Sequence, residues 1–257
     1  MGGCPPPEGL SSAYRRLVFR PISMLYFTIL LLWLLMLMPL VSLFLREIFI
    51  RFLGLPPELF LVVLLLSLLG SFVNIPIAEL ESPQPVYTYK EVSFFGVTWY
   101  IPQVEMGWRK TVIALNVGGA LVPLLISLYL LLHAIPAGEP HPVLAYVKVL
   151  IVLLTVSFVV HRASRVVRGL GIATPAFIPP TITALTTLLV YQLGVPSNPM
   201  RIAYIGGTLG TLIGADLLNL HRIPRLGAPL VSIGGAGTFD GIYTTGLISI
   251  ILILLLL

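Results

Sequence analysis

Long apolar runs constrain this chain more than any other feature. Of its 257 residues, 57% are hydrophobic and only 10% are charged, and an apolar run of about 20 residues is long enough to cross a bilayer as a helix. The sequence therefore predicts an all-α polytopic membrane protein with about seven transmembrane helices. The predicted spans are Pro21–Leu45, Glu58–Ile77, Val112–His133, Val143–His161, Ala176–Leu193, Arg201–Leu220 and a last one that ends at Leu257.

Basic residues lie singly or in small groups at the ends of these runs. The net charge of +5 is therefore dispersed, which argues against a nucleic-acid partner. Three groups fall on one side of the predicted bilayer, and by the positive-inside rule that side is cytoplasmic, with the amino end in and the carboxyl end out. These groups are Arg15, Arg16 and Arg20, then Arg162, Arg165 and Arg168, then Arg222 and Arg225.

The chain reads as one membrane domain, residues 21–257, after a flexible basic amino-terminal tail, residues 1–20. The first run is too long for a signal-peptide core and lacks a small-residue cleavage site, so we expect it to be retained. The single cysteine, Cys4, excludes a disulfide framework or thiolate metal site within one chain. The four histidines lie near predicted interfaces without ligand partners at helical spacing, so we expect neither a metal nor a cofactor.

Residues 85–104 differ from the rest in composition. They are rich in aromatic and β-branched residues and contain a break at Phe95 and Gly96, which predicts a short surface β-hairpin. Its aromatic side chains can lie in the headgroup layer. The alternative is a strand edge that captures an extended peptide by adding it to the sheet.

Glycine-rich segments interrupt several of the apolar runs. Small residues allow close packing between helices, which accounts for most of them. Alternatively, broken backbone can line a polar cavity at membrane depth. The segment from Gly234 to Gly237 fits that alternative best, and we expect it to be re-entrant, because it lies just before an aspartate.

The only two aspartates, Asp216 and Asp240, lie in the last third of the chain within apolar surroundings. A carboxylate at membrane depth costs about 2.5 to 3.5 kcal/mol, so such residues tend to be functional. Asp216 lies six residues before Arg222, about 9 Å from the helix end. If the chain turns back after Pro224, Asp240 reaches a comparable depth on an antiparallel neighbour. Two close carboxylates can then share a proton and activate water, as in aspartic proteases.

Two family resemblances rest on these segments. The run from Asp216 to Pro224, DLLNLHRIP, resembles the first-aspartate motif of prepilin peptidases, and GAGTFDG, ending at Gly241, is similar to the GxGD motif of those enzymes, presenilins and signal peptide peptidases, with Thr238 and Phe239 inserted before Asp240. The strings NVGGALVP, GTLGTLIGADLLNL and SIGGAGTFDGI resemble a prokaryotic membrane-protein family, the domain-of-unknown-function 1614 group. That resemblance implies a multi-pass protein of a prokaryotic cell membrane, without an assigned activity.

Three functions stay open from the sequence. The first is a GxGD-like aspartyl intramembrane protease that uses Asp216 and Asp240 on a membrane or membrane-proximal peptide. The second is a transporter or channel in which the same acids bind a cation or proton, with Lys148 as counter-charge and Asn116 or Thr245 as further ligands. In the third, each aspartate only caps or stabilises a helix. For substrate contact we expect Gly235, Gly237, Thr238, Asn116 and Asn219.

Overall fold

The computed structural model describes residues 24–94, 97–167, 171–226 and 230–257. The chain divides into two compact units, Met1–Leu45 and Arg46–Leu257. Within the first, helix α1 (Met24–Arg46) contains Pro39 and exposes apolar side chains such as Leu35 and Met36. The predicted tail, residues 1–20, lies outside the described residues.

The second unit holds six helices and five strands among the described residues. Short π-helical or 3-10 turns extend some of the helices. In chain order they are α2 (Pro57–Gly70), β1 (Asn74–Phe94), β2 (Val97–Asn116), α3 (Val117–Gly138), α4 (Pro142–Ala163), β3 (Arg165–Val167), β4 (Gly171–Ala173), α5 (Ile178–Tyr191), α6 (Pro199–Thr211), β5 (Leu230–Ile233) and α7 (Gly241–Leu256).

The prediction of an all-α fold is wrong, because the strands form two sheets. One sheet has the order β1-β2-β5 and the other pairs β3 with β4. The run that starts at Val112 was predicted to be helical throughout, but its first residues complete β2 and only the part from Val117 is helix. The β-branched residues Thr111, Val112 and Ile113 favour this strand, and Asn116 then caps the helix by accepting a hydrogen bond from the Gly119 N–H.

The prediction of about seven transmembrane helices is also wrong. Two helices in the described part of the chain, α3 and α4, are long and apolar enough to cross a membrane. Helices α2, α5 and α7 are apolar but have only 14, 14 and 16 residues. At 1.5 Å per residue they fall short of a hydrocarbon core of about 30 Å. The apolar runs continue past these helices into strands and turns, so run length overestimates helix length.

The hairpin is far longer than the predicted residues 85–104. Strands β1 and β2 pair from Asn74 with Asn116 to Phe94 with Val97. Phe95 and Gly96, where the break was predicted, lie outside the described residues. Only the base of the hairpin has a third strand, since β5 pairs in parallel with residues 112–115 of β2.

Close packing of glycines brings α6 against α4. A Cβ added at Gly206 or Gly210 would lie 2.6 Å or 2.8 Å from side-chain atoms of Val152 or Val156. The same face continues to Gly214, where an added Cβ would lie 2.5 Å from the Ser157 carbonyl oxygen. The packing interpretation of these glycines is therefore confirmed, and it fixes the helix that leads to Asp216.

Candidate functional site

Asp216 and Asp240 line the same cavity, which has a volume of about 460 Å³. Asp216 ends the π-helical turn that follows α6, and Asp240 immediately precedes α7. Strands β4 and β5 supply further parts of the wall. Both aspartate side chains are half-buried, so they face the cavity rather than the packed interior.

The backbone holds Asp240 in a fixed orientation. One carboxylate oxygen accepts a hydrogen bond from the Ile242 N–H at 3.0 Å, and the other accepts one from the Ala236 N–H at 3.3 Å. The first contact caps α7. Asp240 therefore does have the structural role of a helix cap. Burial raises the pKa of its carboxyl group, and the two N–H donors oppose that shift by stabilising the ionised form.

A glycine turn makes the Ala236 contact possible. The segment predicted to be re-entrant is instead a turn between β5 and α7, in which the Gly237 N–H donates to the Gly234 carbonyl oxygen at 2.9 Å. Gly234 and Gly237 have φ values of +72° and +64°, which L residues with a side chain rarely adopt. The glycines thus shape the backbone that aims Asp240 into the cavity.

Asp216 is held by its helix and not by side-chain contacts. Its carboxylate makes no hydrogen bond to the described residues, although the charge of Asp240 acts on it. Directly after Asp216 the chain changes to a 3-10 helix, where the Asn219 amide donates to the carbonyl oxygens of Gly214 and Ala215 at 3.1 Å and 2.8 Å. Asn219 therefore ends the π-helical turn by binding its last carbonyl oxygens. The Asp216 carboxylate lies at the end of that turn without a hydrogen-bond partner among the described residues.

A buried apolar cluster fixes the two aspartates relative to each other. Its members come from both segments that carry the aspartates and from neighbouring strands and helices. They are Ile113 of β2, Ala120 of α3, Leu212 before Asp216, Ile223 after it, Ile233 of β5 and Ile242 of α7. Burying each leucine or isoleucine side chain contributes roughly 1.5 to 3 kcal/mol, so the cluster stabilises both sides of the cavity.

The predicted substrate residues are spread over several places. Gly235 lines the cavity, whereas the other four are not among its lining residues. Asn116 caps α3 and donates to the Ser71 carbonyl oxygen, and the Thr238 N–H donates to the Ser71 hydroxyl. An added Cβ at Gly237 would lie 2.5 Å from Ser71. Asn116, Gly237 and Thr238 therefore contact Ser71 and not the cavity. Asn219 lies in the 3-10 helix that follows Asp216.

Sequence reasoning missed several residues of the cavity wall. Thr211, which the sequence suggested only as a hydrogen-bond partner of Asp216, and Ser232 both line the cavity. Residues 171–173 of β4 form the wall that shares the cavity with β5. Thr211 and Ser232 lie within the two strings already singled out, which was a usable signal. The sequence signal for strand β4 was only weak, because β4 contains few β-branched residues and is a strand only through its pairing with β3.

Other acid and base groups lie away from the cavity. Lys148, proposed as a counter-charge, is 2% exposed and donates to the Val195 carbonyl oxygen at 2.8 Å and the Ser197 hydroxyl at 3.0 Å. Among the described residues no group of three or more His, Cys, Asp or Glu side chains could hold a metal ion. The cavity therefore offers two carboxylates for chemistry, because the Thr211 hydroxyl is buried and the Ser232 hydroxyl donates to the Asn74 side-chain oxygen.

Comparison with known proteins gives one match. No curated protein and no solved structure matches this chain. Residues 68–252, which include the whole cavity, match the model of a protein family whose description is "Protein of unknown function (DUF1614)".

Proposed function

We infer the function from the site itself, since this chain belongs to the DUF1614 family, whose function is unknown. We propose that it is a GxGD-like aspartyl intramembrane protease in which Asp216 and Asp240 form the catalytic dyad. The observation that carries this proposal is that the only two aspartates of the chain, from different elements, line one cavity.

The different surroundings of the two carboxyl groups suit the two roles of such a dyad. Asp240 accepts two backbone N–H bonds, so it is the ionised member and the general base. Asp216 has no such donors among the described residues, and burial first, then the neighbouring charge of Asp240, raises the pKa of its carboxyl group to about 7. Asp216 is therefore the protonated member and the general acid.

The reaction then follows from these states. Asp240 takes a proton from a water molecule while the water oxygen attacks the peptide carbonyl carbon. At the same time Asp216 donates its proton to the carbonyl oxygen. The tetrahedral intermediate collapses when a proton passes from Asp240 to the amide nitrogen. The C–N bond breaks, the new carboxylic acid and amine leave, and Asp216 regains its proton from the intermediate's hydroxyl group.

The cavity suits an extended peptide as substrate. Strand β5 pairs with β2 along one edge, and no described strand pairs with its other edge. Leu230, Val231 and Ser232 of β5 line the cavity beside the aspartates. A peptide added to this edge would bind through main-chain hydrogen bonds, which requires an extended and not a helical substrate.

The apolar helices support a membrane location for this activity. Because α3 and α4 are long enough to cross a bilayer, a membrane or membrane-proximal peptide is the substrate class that can reach the cavity. The transport alternative has less support. It predicts further ligands at the acids, but Asn116 forms its hydrogen bonds at the α3 cap, away from the cavity.

The test uses the purified full-length protein in phosphatidylglycerol–phosphatidylcholine vesicles. A pool of synthetic peptides, each with one apolar segment, is incubated with it, and new peptide ends are identified by mass spectrometry. We expect Asp216→Asn and Asp240→Asn each to lower the cleavage rate by at least about 100-fold, because each removes a general acid or base. Asn is itself a good helix cap, so Asp240→Asn keeps the fold.

Glu47→Gln is the matched control, since Glu47 is an exposed acid outside the cavity that pairs only with Arg51. A second readout is thermal stabilisation by a statine-containing peptide, whose hydroxyl group resembles the tetrahedral intermediate. Wild-type cleavage in either Asp→Asn variant refutes the dyad. A wild-type protein that neither cleaves the peptides nor is stabilised by statine refutes the protease.

A further inference from the structure

A second cavity, of about 530 Å³, lies next to the aspartate cavity and has a different chemical character. Arg162, at the end of α4, and Arg165, in β3, both line it. No acidic residue is among the lining residues that the structure describes. Ala173 and Thr174 line both cavities, so they form the wall between them.

The two arginines are free to bind an anion. Both are exposed, and neither forms an ion pair with a described residue. The Arg162 guanidinium lies 5.3 Å from the centre of the Phe158 ring, and Phe158 is 62% exposed on the surface of α4. The stacking holds this cation against an apolar outer surface and leaves its N–H groups available.

The position of the cavity indicates which anion can reach it. Helix α4 is one of the two helices that can cross a membrane, and it begins at Pro142. Arg162 lies about 30 Å from that residue along the helix axis at 1.5 Å per residue, which is the thickness of a hydrocarbon core. When α4 spans the bilayer, both arginines therefore lie at headgroup depth, with Phe158 among the acyl chains.

We propose that this cavity binds the phosphate of an anionic phospholipid headgroup. Two guanidinium groups offer the planar, paired donors that phosphate oxygens accept, and basic pockets at the ends of membrane helices recognise such headgroups. The lipid's acyl chains would lie along Phe158 and the exposed face of α4. This site does not depend on the protease proposal.

Hydrogen bonds connect the lipid site to the wall of the aspartate cavity. Arg165 pairs with Ala173 across the β3–β4 ladder. The hydroxyl groups of Ser164 and Thr174 are hydrogen-bonded at 2.7 Å. A headgroup held by Arg162 and Arg165 therefore fixes the strand that separates the two cavities.

The test measures lipid binding to the detergent-solubilised full-length protein by native mass spectrometry. Phosphatidylglycerol, phosphatidylcholine and inorganic phosphate are titrated separately. We expect phosphatidylglycerol to bind more tightly than phosphatidylcholine, and Arg162→Gln/Arg165→Gln to lower its affinity by roughly thirty-fold, about fivefold for each charge lost. The control Arg51→Gln/Lys110→Gln removes two exposed charges that pair with nearby acids, and it should keep wild-type affinity.

Three results overturn the proposal. The first is equal affinity for the two lipids. The second is unchanged phosphatidylglycerol affinity in Arg162→Gln/Arg165→Gln. The third is displacement of phosphatidylglycerol by inorganic phosphate at millimolar concentration, which would show that free phosphate is the ligand. If the double variant does not fold, the single variants Arg162→Gln and Arg165→Gln are measured. Each should lose about fivefold, and wild-type affinity in both also overturns the proposal.

Discussion

Among single residues of the described part of the chain, Arg201 is a charged side chain with three polar partners. At the start of α6, its guanidinium donates to the Leu53 carbonyl oxygen at 3.2 Å and to the Ala134 carbonyl oxygen at 3.0 Å. It also forms an ion pair with Glu139 at 3.4 Å, and the two side chains are only 16% and 4% exposed. Arg201 therefore joins three separate segments at the end of the helix opposite Asp216.

We expect Arg201→Ala to lower the free energy of unfolding by about 3 to 5 kcal/mol, because it leaves the Glu139 carboxylate buried without its cation. Arg51→Ala is the control, since its ion pair with Glu47 is exposed and such pairs contribute about 0 to 1 kcal/mol. Both variants are compared with wild type by reversible unfolding in mixed micelles. Equal losses in the two variants would show that the Arg201 contacts carry no special stability.

Among the elements, the contact between α4 and α6 depends on the absence of side chains. A Cβ at Gly214 would meet backbone of Ser157 and not the end of a flexible side chain. Backbone moves only with its whole helix, so the strain cannot be relieved locally. This contact positions Asp216, which follows two residues later.

Gly214→Ala should therefore destabilise the protein by about 1 to 3 kcal/mol, the usual cost of overpacking. Gly241→Ala is the matched control, because the nearest atom to its added Cβ is 3.9 Å away, and we expect a change within about 0.5 kcal/mol. Thermal unfolding followed by circular dichroism measures both. A Gly214→Ala protein as stable as Gly241→Ala would mean that α4 and α6 are less closely packed than described.

Element types were only partly predictable from the sequence. Helix α4 follows from an apolar run that contains no strand. The run at Val112 mixes a strand and a helix, and periodicity cannot separate them, because a buried strand and a buried helix are both apolar throughout. Residues 112–115 form a strand because β1 pairs with them on one side and β5 on the other. Strand β5 lies so far along the chain that a local pattern does not reveal it.

For the molecule as a whole, the candidate site was easier to predict than the fold. The scarcity of aspartates singled out Asp216 and Asp240, and the structure places both on one cavity although the predicted bundle is wrong. The β4 wall was missed because it depends on the packing of several elements. Rare charges in apolar surroundings are informative about sites even where topology is not.

The long hairpin predicts how the second unit tolerates change. Beyond the base that pairs with β5, β1 and β2 pair with each other, and Tyr89 and Trp99 are 71% and 64% exposed. We expect deletion of residues 88–103, with Tyr87 and Val104 joined through an Asn-Gly turn, to leave the thermal midpoint unchanged, because the cut is in register.

The matched variant deletes residues 77–113 and joins the register partners Pro76 and Ala114 in the same way, which removes half of the β2 segment that pairs with β5. This protein should not fold. Circular dichroism and the thermal midpoint of each purified variant distinguish the two results. Loss of folding in the shorter deletion would contradict a hairpin that is independent beyond its base.

The parallel pairing of β5 with β2 has a consequence for biosynthesis. Ile113 and Val231 can pair only after both residues have been synthesised. The carboxylate of Asp240 is oriented only once the first turn of α7 has formed. Closing so large a loop is slow compared with the formation of local helices. A nascent chain can therefore form α3 and α4 before the cavity is complete, at a stage when Asp216 but not Asp240 has been synthesised. The proposed dyad therefore becomes complete only after Asp240 and the first turn of α7 have been synthesised.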